Sequence, residues 1–366
     1  MSVIQGGTLV TIEQIRHALE AVIDPELGRS IVDLGMVRDL KISGQEVNFT
    51  LALTTLACPL QDTLVEEATE AIAKLDDHLV VKIRREEMTE EEKRQIFGQK
   101  PGEPEKPLAE RLNDIAHVIA VMSGKGGVGK SSVAVQLAIT LRRQGKRVGI
   151  LDADITGPSI PKMFGLKKPP VGSPIGIVPP ETTTGIKVMS INLLLENESQ
   201  AVIWRGPLIA GAIRQFWSEV FWRDLDYLII DLPPGTSDAS LTVMQSIPVS
   251  AVLMVTSPQD LAGMIVRKAA YMAQQLNIPI VGLVENMSYV LCPKCGERIE
   301  AFGRSKALET ALEIGVPLLG RLPLDPHFSE LCDAGQVESY PAQAFKEIAA
   351  QVVSLMPQGK AKPVFE

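Results

Sequence analysis

The stretch Met122–Ser132 reads MSGKGGVGKSS, after the apolar run HVIAVMS and before SVAVQLAITLRRQG. Gly124, Gly129, Lys130 and Ser131 satisfy G-x-x-x-x-G-K-[ST], the spacing of a phosphate-binding loop. Glycines at this density let the backbone curl until several N–H groups face one anion. A helix beginning near Lys130 adds its positive end. Such a loop needs a strand before it and a helix after it, which demands an α/β domain. Gly124, Lys125, Gly126, Gly127, Val128 and Gly129 are expected to wrap the phosphates. Lys130 is expected at the β- and γ-phosphates and Ser131 at Mg²⁺, with Ser132 beside it.

Downstream, apolar strand-like runs alternate with helical ones: KRVGILDAD, LDYLIIDLPPG, SAVLMVTSP and IPIVGLVENMS. This pattern predicts a mostly parallel sheet covered on both faces. Ligands in such sheets sit beyond the carboxyl ends of the strands. The acids fall at those ends. Asp154 is placed to orient an attacking water, and Asp152, two residues earlier, to order the loop. Asp231 closes a strongly apolar strand and reads as the Walker-B acid for Mg²⁺. Pro233, Pro234 and Gly235 then make a stiff turn near the expected γ-phosphate. Each acid taken alone could equally cap a helix.

The loop holds two lysines where one suffices. Spacing alone leaves Lys125 either solvated or aimed across an interface, in the manner of an arginine finger. A second incomplete device is CPKCG. Cys292 and Cys295 are separated by two residues, so one tight turn aims both thiols at one metal, but zinc sites and [4Fe–4S] clusters want four ligands. A redox disulfide or two inert turn cysteines are the other readings of the pair. A homodimer completes both devices. Two CPKC turns at a twofold axis supply four thiolates, and Lys125 of one copy reaches the other's nucleotide. Cys332, in SELCDAG, reads as a small core hydrophobe.

With 366 residues the chain has room for two domains. Residues 1–85 read as a small α/β domain, with a capping box at Thr11 and Gln14 opening its first helix. Residues 86–112 are charged and carry a proline cluster, which reads as a linker. Residues 113–360 form the nucleotide domain. The net charge of -8 argues against a nucleic-acid or anionic-membrane grip as the main task. Four cysteines make no disulfide framework. With no signal peptide and no apolar run of membrane-spanning length, a cytoplasmic setting is expected.

The motifs GKGGVGKSS, LDADITGPSIP, WRGPLIAGAIRQF, LDYLIIDLPPGTSDASLT and GLVENMSYVLCPKCG resemble the Mrp/ApbC family of P-loop ATPases. That family belongs to the deviant Walker A (SIMIBI-like) group with MinD and the nitrogenase iron protein. The resemblance implies a homodimeric ATPase that carries a [4Fe–4S] cluster between subunits and delivers it to apo iron–sulfur proteins, working with cluster assembly proteins. It implies that Lys125 is the signature lysine, that Asp154 and Asp231 are the switch acids, and that Asn286 reads adenine. Without it, Asn286 reads as a turn residue. Cys292 and Cys295 take the cluster-bridging role. Thr156 and Ser237 depart from the residues usual at their positions. DPELGRSIVDLGMVRDL and LALTTLACPL resemble a DUF59-type domain, with Asp33 and Thr55 in shared segments and Cys58 at its characteristic cysteine. Two rivals stand: a MinD/ParA-like positioning ATPase, and an adaptor whose CPKC turns hold structural Zn²⁺, which also fills cluster sites in aerobic preparations.

Overall fold

A computed structural model describes residues 10–24, 29–53, 61–76, 78–89, 107–155, 157–195, 204 and 206–362. Two compact units emerge: one of residues 1–112 with 172–176, the other of 113–171 with 177–366.

In the first unit a helix, Ile12–Leu19, opens on the expected capping box. Thr11 Oγ1 accepts from the Gln14 N–H while Gln14 Oε1 accepts from the Thr11 N–H. Strands β1 (Val37–Ser43), β2 (Glu46–Leu53) and β3 (Val80–Glu87) form one sheet in that order. β2 pairs antiparallel with β1 and parallel with β3, the crossover being the helix Gln61–Ala73. Ile15, Leu19, Val47, Phe49, Leu51, Leu64 and Ile72 are its core. β3 runs two residues past the expected boundary at 85. Thr55 and Cys58 lie outside the described residues, as does most of the linker.

In the chain after residue 113 the strands are β4 (Asp114–Ser123), β5 (Val148–Asp152), β6 (Val171–Ser173), β7 (Gly176–Val178), β8 (Lys187–Ser190), β9 (Asp224–Asp231), β10 (Ala251–Thr256), β11 (Ile280–Leu291), β12 (Arg298–Ile299) and β13 (Leu318–Pro323), of which β6 and β7 pair as a separate two-stranded sheet and the rest belong to the second unit. The main sheet runs β8-β5-β9-β4-β10-β11-β13, all parallel, and β12 folds back antiparallel on the tip of β11. β5 and β10 are buried at every residue, as two covered faces require. One face packs against the helices Lys130–Arg143 and Lys346–Leu355 through Val133, Leu137, Leu141, Ile348 and Val352. The other packs against Gly206–Ser218, Asp238–Ser246 and Asp260–Gln275 through Ile213, Phe216, Val243 and Val266. Each fully buried aliphatic side chain contributes about 1.5–3 kcal/mol. The last helix is therefore a core element: Ile348, Ala349 and Val352 face the sheet.

Candidate functional site

β4 delivers the chain to the loop at Ser123, and the helix takes it up at Lys130. Two glycines are demanded by geometry. Gly129 sits at the N-cap with φ 78, and a Cβ there would lie 2.1 Å from Asn286 Nδ2. At Gly124 a Cβ would lie 2.4 Å from the backbone nitrogen of Val266, so the loop rests directly on the neighbouring helix.

Asp231 ends β9, beside β4, and both loop side chains converge on it. Lys130 Nζ donates to its Oδ1 at 2.6 Å, and Ser131 Oγ donates to its Oδ2 at 2.5 Å. Lys130 is only 6% exposed and Asp231 is buried. Burial pushes the Asp231 carboxyl up, and the Lys130 ammonium opposes it. Asp231 and Ser131 thus stand together as a hard-oxygen pair, the donor chemistry Mg²⁺ takes.

Asp152 ends β5 in register with Asp231. It is fully buried. Desolvation first, then the Asp231 charge, push its carboxyl up to about 8, against the pull of Lys130 and the Ile160 N–H. It accepts from the Asp154 N–H at 3.3 Å, the Ile160 N–H at 3.3 Å and Ser190 Oγ at 3.2 Å. It orders the turn beyond β5. Asp154 is half-buried on that turn, and its Oδ1 accepts from the Gly157 N–H at 3.2 Å. Thr156 lies outside the described residues. The Pro233–Pro234–Gly235 turn lies on the loop: the Gly235 N–H donates to the Ser123 carbonyl at 2.9 Å. Ser237 caps the next helix by accepting from the Ser240 N–H.

Two residues make contacts that the sequence reading did not name, and Lys125 is partly buried. Its Nζ donates to Gln259 Oε1 at 3.0 Å. Asn286 is not in a turn, because β11 continues through it to Leu291. It is 5% exposed, and its Nδ2 donates to the carbonyls of Val128 at 3.0 Å and Gly129 at 3.4 Å. Its amide nitrogen therefore braces the loop from behind, leaving its oxygen for any other partner.

Cys292 and Cys295 occupy the turn between β11 and β12. The Gly296 N–H donates to the Cys292 carbonyl at 2.8 Å, with Gly296 at φ 74, and the Cys292 N–H donates to the Glu297 carbonyl at 2.9 Å. The Cys292 thiol is held below its ordinary value by the backbone N–H groups of Cys295 and Lys294, with the Cys295 side chain adding to them. Amides aimed at a sulfur stabilise thiolate, the form that ligates metal. The turn fits a metal-binding half-site. Among the described residues no group of three or more His, Cys, Asp or Glu gathers as a complete site. Cys332 is half-buried against the core, and burial pushes its thiol up to about 11, as a structural cysteine requires.

Sequence reasoning missed Gln259 and a buried cluster behind the loop. Glu285 is fully buried, and its Oε2 accepts from Ser288 Oγ and from Arg321 Nε at 3.3 Å. The available signal was a lone acid in GLVENMS and a lone arginine in LLGRLP, since a charge inside an apolar strand needs a partner.

The comparisons agree with this geometry. Residues 114–356 match the family model described as NUBPL iron-transfer P-loop NTPase, and residues 12–84 match that of an iron–sulfur cluster assembly protein. The chain is 40% identical over 355 residues to an iron-sulfur cluster carrier protein of Synechocystis sp., covering 94% of this chain and 97% of that one. It is 48% identical over 252 residues to a carrier of the same name from Methanocaldococcus jannaschii, covering 67% of this chain and 87% of that one. A solved nucleotide-binding protein from Archaeoglobus fulgidus, in complex with ADP, aligns with TM-score 0.59 and 48% identity, over 66% of this chain and 95% of that one. No helix among the described residues is long and apolar enough to cross a membrane. A glycine-rich loop whose lysine and serine both bond the acid ending the neighbouring strand, in a chain matched over most of its length, makes this protein a P-loop ATPase of the Mrp/ApbC, iron-transfer family.

Proposed function

We propose that two copies of this chain hold a [4Fe–4S] cluster between their CPKC turns and pass it to apo iron–sulfur proteins under control of ATP. The observation that carries this is the turn itself. It offers two thiols with backbone amides aimed at one sulfur, at the tip of a hairpin, and no further ligands gather around it among the described residues. A second copy supplies the missing pair.

In this reading Lys130 leaves Asp231 for the β- and γ-phosphates, while Asp231 and Ser131 turn to Mg²⁺. Mg²⁺ held by Asp231 and Ser131 would supply charge neutralisation on the phosphates. Asp154 orients the attacking water, and Asp152 keeps the Asp154 turn in place. Lys125 exchanges Gln259 for the partner's nucleotide. Asn286 sets the loop and offers its oxygen to the base. The fragment to residue 85 acts as a docking domain for assembly proteins, joined through the linker 86–112, with Cys58 as its candidate thiol.

Anaerobic reconstitution tests the reading. About four iron and four sulfide per pair of chains are expected by analysis and native mass measurement. Cys292→Ala and Cys295→Ala should each abolish the cluster. A full cluster on a single chain would overturn the shared site, and stoichiometric zinc with no cluster after anaerobic loading would favour the structural adaptor.

A further inference from the structure

β11 touches the phosphate loop at one point and becomes the thiol hairpin a few residues later. Between Glu285 and Tyr289 its pairing with β13 shifts register. Met287 lies in this bulge at φ 54, a left-handed setting that costs a non-glycine residue strain. The bulge faces the loop: Asn286 holds the Val128 and Gly129 carbonyls, and Met287 Cε lies 3.1 Å from where a Gly129 Cβ would stand.

Arg321, on β13 opposite Glu285, grips the same bulge from the other side. Its Nε donates to Ser288 Oγ at 2.6 Å and to Glu285 Oε2 at 3.3 Å. Its Nη2 reaches away and donates to Glu300 Oε1 at 3.1 Å. Glu300 follows β12, the return arm of the hairpin that carries Cys292 and Cys295. The Tyr289 ring reinforces the link, with Arg298 4.5 Å and Arg321 6.0 Å from its centroid. One guanidinium therefore spans the brace of the phosphate loop and the arm of the thiol turn.

We propose that Arg321 is a positioning residue that transmits the state of the phosphate loop to the orientation of Cys292 and Cys295. This rests on the reading that the loop takes nucleotide and the thiols take metal. Nucleotide draws Lys130 off Asp231 and resets the loop carbonyls. Asn286 and Met287 follow, because they pack on those carbonyls. Arg321 carries the displacement to Glu300 because its fork holds two partners in fixed relation, which an ammonium cannot do.

The test uses the metal-free full chain and follows alkylation of Cys292 and Cys295 by iodoacetamide, resolved by peptide mass. Rates are compared without nucleotide, with Mg²⁺ and ADP, and with Mg²⁺ and a non-hydrolysable ATP analogue. In the parent protein nucleotide should change the rate about fivefold or more. Arg321→Gln should bring the ratio to near one with nucleotide affinity unchanged. Arg321→Lys keeps the charge beside Glu285 but not the fork, and should lose the ratio as well. Glu300→Gln alters only the hairpin end of the link, at an exposed site, and should flatten the ratio even if Arg321→Gln fails to fold. A parent-like ratio in Glu300→Gln and Arg321→Lys overturns the proposal. So does a parent ratio of one while a fluorescent nucleotide still binds, and that result leaves the nucleotide reading intact. Absence of nucleotide binding would overturn both.

Discussion

Asp152 gives the sharpest test of how the site is charged. Its carboxyl is raised from 3.8 to about 8, by burial first and the Asp231 charge second. Between those values the folded chain binds a proton that the unfolded chain has released. Stability of the nucleotide-free protein therefore falls as pH rises through this window, and levels off above about pH 8. One proton corresponds to about 1.4 kcal/mol per pH unit. From about pH 6 to about pH 7.5 the loss is about 2 kcal/mol, or about 4–8 °C in melting temperature for a domain of this size. Asp152→Asn cannot ionise. It forfeits one acceptor for Ile160 or Ser190, about 1 kcal/mol at every pH. Its melting curve should cross that of the parent near about pH 4.5 and lie above it from about pH 6 upward, the gap widening toward pH 8. Differential scanning of both proteins, free of nucleotide and Mg²⁺, reads this directly. Parallel pH profiles would refute the reasoning and place the proton elsewhere.

Further expectations concern single atoms. Gly124→Ala puts a Cβ 2.4 Å from the Val266 nitrogen and 2.5 Å from the Ile265 carbonyl carbon, so loop or helix must shift. A stability loss of about 1–3 kcal/mol with weakened nucleotide binding is expected by thermal melting and fluorescent-nucleotide titration. Asp231→Asn removes the anion shared by Lys130 and Ser131. Mg²⁺-dependent ATP hydrolysis should fall by about 10²-fold or more in a phosphate-release assay. With its thiol at about 11, Cys332 is thiolate to only about one part in ten thousand at pH 7. Peptide-resolved alkylation should therefore label Cys292 well before Cys332.

The second unit was the more legible part. Strands such as LDYLIIDLPPG and SAVLMVTSP are apolar enough to demand two covered faces, and the glycine spacing fixed the loop between β4 and its helix. Short strands escaped. β8 and β13 are 4 and 6 residues long, and KVMS and LLGRLP carry little periodicity of their own. They become strands because β5 and β11 present free edges to them. Lys130 and Ser131 could be placed from the motif because covalent spacing nearly determines them, and Asp231 from its position at the end of a strongly apolar strand. Lys125 and Asn286 could not. Their contacts, with Gln259 and with the Val128 and Gly129 carbonyls, join segments more than a hundred residues apart. Asn286 looked like a turn residue because turns favour asparagine, and the long β11 ladder overrode that preference.

The contact between Lys130 and Asp231 has one more consequence. A loop lysine that can pair with a neighbouring carboxylate is no open trap for stray anions. Capture becomes a swap of counter-ions: the phosphates take over the ammonium, and the released carboxylate must find a new positive charge. Bare phosphate offers none, whereas nucleotide arriving with its magnesium supplies one. The same ion pair would thus favour nucleotide that brings its own magnesium.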